Sequence, residues 1–134
     1  MAAALAQRPC NPCRGGVEPL TLEQCARYLA EVPDWELDAT ARRISRCFQF
    51  PDYRAALAFA NAVSVLAEET WHHPELVLGW GFCEVRLTTR KIGGLHESDF
   101  VVAARIDALS ASPSGSAWLP PLPPPRGKSR STKT

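Results

Sequence analysis

Residues 68–89 read EETWHHPELVLGWGFCEVRLTT, and the periodicity of the chain changes inside them. Upstream, Ala56, Phe59, Val63 and Leu66 recur at helical spacing and give residues 53–69 one apolar face. Pro51 suits the first position of that helix and Asp52 its first turn. Pro74 biases His73 away from helical angles, so the helix should end near the pair His72 and His73. ELVLG (75–79) then reads as a strand. WGFCEVRLTT (80–89) alternates, with Cys83, Val85 and Leu87 on one face and Phe82, Glu84, Arg86 and Thr88 on the other.

Working outward, Thr21 and Gln24 form a capping box that opens a helix over residues 22–32, closed by Pro33 and Asp34. WEL (35–37) and RRISRCFQF (42–50) read as two strands joined by DATA. After KIGG (91–94), a last helix covers residues 97–109, with Phe100, Ala103 and Ile106 facing inward. The order is α-β-β-α-β-β-α. Strands this closely spaced favour an α+β domain: a four-stranded antiparallel sheet with three helices on one face. The domain spans residues 18–110. Residues 1–17 read as an irregular N-terminal arm. Residues 111–134 read as a disordered, Pro-rich, basic tail. The tail carries P-x-x-P-x-R from Pro121 to Arg126, a shape that proline-reading domains recognise, and Trp118, a side chain suited to anchoring a contact.

At 134 residues, 46% hydrophobic and 22% charged, the chain makes one globular domain with a modest core. No apolar run approaches the roughly 20 residues that span a bilayer, so no membrane segment is expected. The net charge of +1 hides an asymmetry. Between Glu18 and Leu109 there are 14 acidic and 9 basic residues, a balance of −5, while the tail carries four cations and no acid. An acidic domain is a poor partner for nucleic acid. The first 16 residues lack an acid, as transit peptides do, but they are short and lack Ser. Five cysteines, an odd number, with no secretory signal ahead of them read as reduced thiols in a cytoplasmic protein. Cys10 and Cys13 have the spacing of half a zinc site, but no second pair completes it.

His72 and His73 admit three chemistries. As metal ligands they are poorly placed, since neighbours at a helix end point apart and only His96 remains to join them. As structural groups they would favour the helix dipole when charged, by about 0.3–1 kcal/mol. As general acid and base they suit proton transfer near neutrality, the ordinary imidazole pKa being about 6.5. Spacing does not choose between the last two.

The stretch from Glu68 to Phe100 resembles the signature of the pterin-4a-carbinolamine dehydratase family. The resemblance rests on Glu68, His72, His73, Pro74, an aromatic in the next strand (Trp80), the LTT strand end, GGL and Asp99, and it extends from about Thr21 to Leu109. It implies dehydration of a 4a-hydroxytetrahydropterin to the quinonoid dihydropterin, with no metal or other cofactor. The leaving hydroxyl needs a proton and the ring must lose one, which is acid-base work for imidazoles. Carried over, the catalytic positions are His72, His73 and Glu68, and the substrate-binding positions are His72, His73, Pro74, Thr89 and Arg90. The family's third histidine stands where this chain has Arg90. A guanidinium keeps its proton near neutrality, so it can hydrogen-bond the substrate but cannot shuttle a proton. Trp71 replaces a small polar residue and adds bulk beside the pocket. His96 replaces the usual Ser or Thr ahead of the last helix, which weakens the expected N-cap. Losing one acid-base group costs a factor of roughly 100 to 10,000.

Within the family, GWGFCEVRLTT, GGLHESDFVVAARIDAL and the arm CNPCRGG are similar to dehydratase-like proteins encoded beside α-carboxysomes, which are regarded as assembly factors for Rubisco. That similarity implies a protein-binding role with the Rubisco large subunit as partner and a carboxysome-associated location. The alternative is an active or weakened dehydratase. An open strand edge invites pairing with a second copy, and family members do pair strands across a dimer, so a homodimer through the edge strands, or a tetramer built from it, is expected.

Overall fold

The computed structural model describes residues 5–8 and 17–110. The Cys10 and Cys13 pair, Trp118 and the proline motif lie outside the described residues. Within residues 17–110, three α-helices and four strands follow one another as α1 (Leu22–Leu29), β1 (Glu36–Leu37), β2 (Ile44–Gln49), α2 (Tyr53–Thr70), β3 (Glu75–Gly79), β4 (Phe82–Leu87) and α3 (Glu97–Ser110). The sheet runs β1-β2-β4-β3 with every neighbour antiparallel, and the helices cover one face. This is the α+β architecture that the alternating patterns imply.

Local chemistry sets most element ends. The Thr21 hydroxyl accepts from the Gln24 amide at 3.1 Å, and the Gln24 carboxamide accepts from the Thr21 amide at 2.8 Å, so the capping box is complete. The first helix stops at Leu29, short of the expected residue 32. Its end tightens instead into i to i+3 bonds, Glu31 to Tyr28 and Val32 to Leu29. The start of α2 also differs from expectation. Asp52 is the N-cap, not a first-turn residue: its backbone is extended and its carboxylate accepts from the Ala55 amide at 2.8 Å. Pro51 therefore precedes the helix.

Trp80 belongs to the turn between β3 and β4, not to a strand. Gly79 pairs with Phe82, which leaves Trp80 and Gly81 as a two-residue loop, and Gly81 takes a φ of 84° there. The β4 strand lies between β2 and β3 and is bonded on both sides, so of the two strands expected to offer an edge only β3 does.

The core lies between sheet and helices. Cys83, Val85 and Leu87 are fully buried, as the alternation requires, with Ile44 and Phe48 beside them. Burial pushes the Cys83 thiol up to about 11, which leaves it unreactive at neutral pH. Trp35 packs edge-on against Phe48, and its indole donates to Asp107 at 2.8 Å. Arg46 lies 4.3 Å over the Phe48 ring and also reaches Asp107, at 2.7 Å. Residues 98–104 of α3 are all buried. Part of that cover is Leu5, fully buried, whose segment is clamped by Arg105 donating to the carbonyls of Ala6 and Arg8 at 2.9 and 2.6 Å.

Candidate active site

The end of α2 places the two histidines. Trp71, in the left-handed conformation at φ 57°, caps the helix, and its amide and that of His72 both donate to the Ala67 carbonyl. Pro74 restricts His73 two residues later. The left-handed turn sends the two imidazoles to different partners, as neighbours at a helix end require.

His72 turns inward. Its Nε2 lies 2.6 Å from Oδ1 of Asp99, which is fully buried on the first turn of α3. The other oxygen of Asp99 accepts from the Thr89 hydroxyl at 2.7 Å and from the His96 amide at 3.0 Å. A carboxylate so placed holds a proton on Nε2 and leaves Nδ1 of His72 as the basic nitrogen. It therefore fixes both the tautomer and the position of the ring.

His73 turns outward. Its Nε2 lies 2.6 Å from Glu68, but the imidazole is half exposed and the carboxylate 69% exposed. The edge of Trp71 meets the His73 ring at 5.2 Å between centroids.

His96 restores the helix start that its side chain was expected to weaken. Its Nδ1 accepts from the Ser98 amide at 3.1 Å, while Asp99 accepts from the His96 amide. Imidazole and carboxylate thus form a capping box of their own.

These groups open onto a cleft of about 560 Å³ lined by Trp71, His72, His73, Pro74, Thr89 and Arg90, among others. All the histidine-step and substrate-binding positions read from the sequence therefore meet at one place. Glu68 does not line the cleft; it reaches it through His73. Trp80, at the far end of β3, is not in it either. Arg43, Glu75, Arg86 and Lys91 complete the wall together with Thr88. Sequence reasoning missed these four charges. Arg43 arrives from the start of β2, and only strand register brings it opposite Thr88. The Thr88 hydroxyl ties that corner by donating to the Arg42 carbonyl at 2.5 Å. Arg86 is held in its charged form by hydrogen bonding to Glu84, with Glu75 adding to it. Among the described residues no group of three His, Cys, Asp or Glu side chains is arranged to hold a metal.

Chemically, the cleft offers one oriented imidazole backed by a buried carboxylate, one solvent-facing imidazole beside a second carboxylate, and permanent cations, Arg90 among them. That set can give and take a proton at a small ring and hydrogen-bond its polar atoms.

Comparison with known proteins points the same way. The family described as pterin 4 alpha carbinolamine dehydratase matches residues 18–109. Two relatives carry the name "Putative pterin-4-alpha-carbinolamine dehydratase". The one from Methylococcus capsulatus is 46% identical over 82% of this chain and 96% of its own. The one from Halorhodospira halophila is 48% identical over 81% and 99%. Among solved structures, a transcriptional coactivator/pterin dehydratase from Brucella melitensis superposes with a TM-score of 0.65 at 27% identity, covering 69% of this chain and 98% of that one. A pterin dehydratase-like protein identified as a RuBisCO assembly factor in the alpha-carboxysome gives 0.52 at 29% identity, covering 59% and 92%. With its histidine step, its sheet order and its match over most of the chain, this protein belongs to the pterin-4a-carbinolamine dehydratase family.

Proposed function

We propose that the cleft binds a 4a-hydroxytetrahydropterin and dehydrates it slowly, with His72 as the principal acid-base group. The observation that carries this reading is the His72–Asp99–Thr89 chain, complete at the cleft wall with Asp99 and Thr89 buried behind His72. A surface histidine kept only for the helix dipole needs no such carboxylate. His73, beside Glu68, is the second proton carrier. Arg90 lines the same cleft, where it hydrogen-bonds the leaving hydroxyl or the ring but supplies no proton, so turnover is reduced by about 100- to 10,000-fold relative to a site with an imidazole there. The names of the relatives at 46–48% identity support the same reaction.

The test is a carbinolamine dehydration assay on the purified protein beside His72→Ala and Arg90→His. Wild type should exceed the spontaneous rate, His72→Ala should fall to it, and Arg90→His should rise. A wild-type rate equal to the spontaneous one, unchanged by Arg90→His, would remove the enzymatic reading.

A second reading, assembly of Rubisco, is favoured by Arg90 and by the likeness to the assembly factor. Its test is the yield of assembled Rubisco on co-expression, with His72→Ala leaving that yield unaltered. In either role the free edge of β3 pairs with a second copy; sedimentation showing monomer alone at micromolar concentration would exclude that pairing.

A further inference from the structure

The distribution of charge on the domain is uneven. Four of the nine basic residues between 18 and 109 line the cleft, namely Arg43, Arg86, Arg90 and Lys91, whereas Glu75 alone of the fourteen acids does. Arg86 is already engaged by Glu84 and Glu75. Arg90 and Lys91 are exposed, and among the described residues neither has a carboxylate within ion-pair distance. Arg43 lies near Asp38, whose carboxylate also accepts from the Thr40 hydroxyl and the amides of Arg42 and Arg43. Strand pairing and the Thr88–Arg42 bond keep Arg43 beside the turn that carries Arg90 and Lys91. Arg43, Arg90 and Lys91 thus share a cleft whose one acidic lining residue among those described, Glu75, is engaged by Arg86. At the rim stands Trp71, 68% exposed and held at φ 57°.

We propose that this cleft takes a flat heterocycle bearing a phosphate monoester, with the dianion held by Arg43, Arg90 and Lys91 and the ring laid against Trp71. Three cations exceed the need of a neutral pterin or of one carboxylate, whereas a tetrahedral dianion accepts from several sides at once. If the pterin reading above holds, the ligand is a pterin phosphorylated on its side chain. The phosphate contact itself does not depend on turnover.

The experiment is a titration of the full chain, followed by tryptophan emission with Trp71→Phe as the control for the signal. The probes are inorganic phosphate, a dihydropterin with a phosphate ester on its side chain, and the same dihydropterin without it. Phosphate should bind saturably at low salt and weaken as salt rises. The phosphorylated pterin should bind about tenfold or more tightly than its counterpart, as charge-assisted hydrogen bonds allow. Arg90→Ala/Lys91→Ala should erase that preference, with the melting temperature unchanged because both side chains are exposed. Equal affinity for the two pterins, or a preference that survives the double substitution, overturns the proposal. So does an acidic peptide that displaces phosphate at lower concentration than the phosphorylated pterin, which would assign the cations to a protein partner. Phosphate binding without dehydration sustains the proposal and removes only the enzymatic reading. In Arg90→His the two separate: phosphate preference falls while dehydration rises.

Discussion

His72 and His73 are neighbours in sequence, and each has a carboxylate oxygen 2.6 Å from Nε2. Their surroundings are opposites. The His72 side chain is 11% exposed and Asp99 not at all, whereas His73 and Glu68 are 50% and 69% exposed. In water an ion pair of that length contributes little, because solvent screens it and two mobile side chains must be ordered. In the interior the same contact is stronger, and removing one partner leaves buried polar groups unsatisfied. Distance alone would rank the two pairs as equal; burial assigns one to the framework of the site and the other to its solvent side.

The sharpest way to break that contrast is Asp99→Ala. It leaves the Thr89 hydroxyl, the His96 amide and the His72 imidazole without their acceptor in a buried place. We expect a loss of about 3–5 kcal/mol in urea unfolding, as for other buried pairs deprived of one partner. Asp99→Asn, which keeps an acceptor oxygen, should lose less. A loss below about 1 kcal/mol for the alanine variant would mean that the buried pair is no different from the exposed one.

Turnover gives the next largest effect. His72→Ala should lower dehydration by about 100- to 10,000-fold. His73→Ala should lower it far less, since that ring is held only by a solvent-exposed partner. Equal losses in the two variants would erase the functional side of the comparison.

The outline of this contrast was legible in the sequence, but its partners were not. Periodicity placed α2, β3 and β4, and Pro74 marked where the helix gives way, because these are local effects of spacing and sterics. Asp99 stood out through family resemblance, yet its contact with His72 spans 27 residues and depends on how α3 packs against α2. Glu68, read as a catalytic position, meets His73 and does not itself line the cleft. The helix starts at Tyr53, two residues after the Pro51 read as its first position, because proline is itself a good first helical residue and only the extended backbone at Asp52 makes that residue the cap. His96 looked like a lost cap, since imidazole is not a common capping group. The cations of the cleft were invisible as a group because strand register alone brings residues 43 and 86–91 to one wall.

A third carboxylate tests burial as the deciding variable by another route. Burial raises Asp107 above the ordinary aspartate value, and the bonds from Trp35 and Arg46 only partly offset it. A folded-state pKa above the unfolded one means that the associated stability is fully present below about pH 3.9, the unfolded value, and is lost as pH rises through the folded value. Asp107→Asn removes that titration. The stability of wild type relative to Asp107→Asn should therefore increase as pH falls from 7 toward 4, read as the difference in urea midpoints. The opposite trend would show that pairing with Arg46 outweighs burial at this site.

The smallest effect belongs to the exposed pair. Glu68→Gln keeps the shape of the side chain and a hydrogen-bonding oxygen while removing its charge. With both partners in solvent, the loss should be about 0.2–1 kcal/mol at low salt, and it should vanish as salt shortens the screening length to about 3 Å at 1 M. Melting curves at two salt concentrations read this directly. Because Glu68 meets the cleft only through His73, its effect on dehydration should not exceed that of His73→Ala. A larger loss of activity, with stability unchanged, would place the Glu68 carboxylate in contact with the substrate and move it from the solvent side of the comparison to the reacting one.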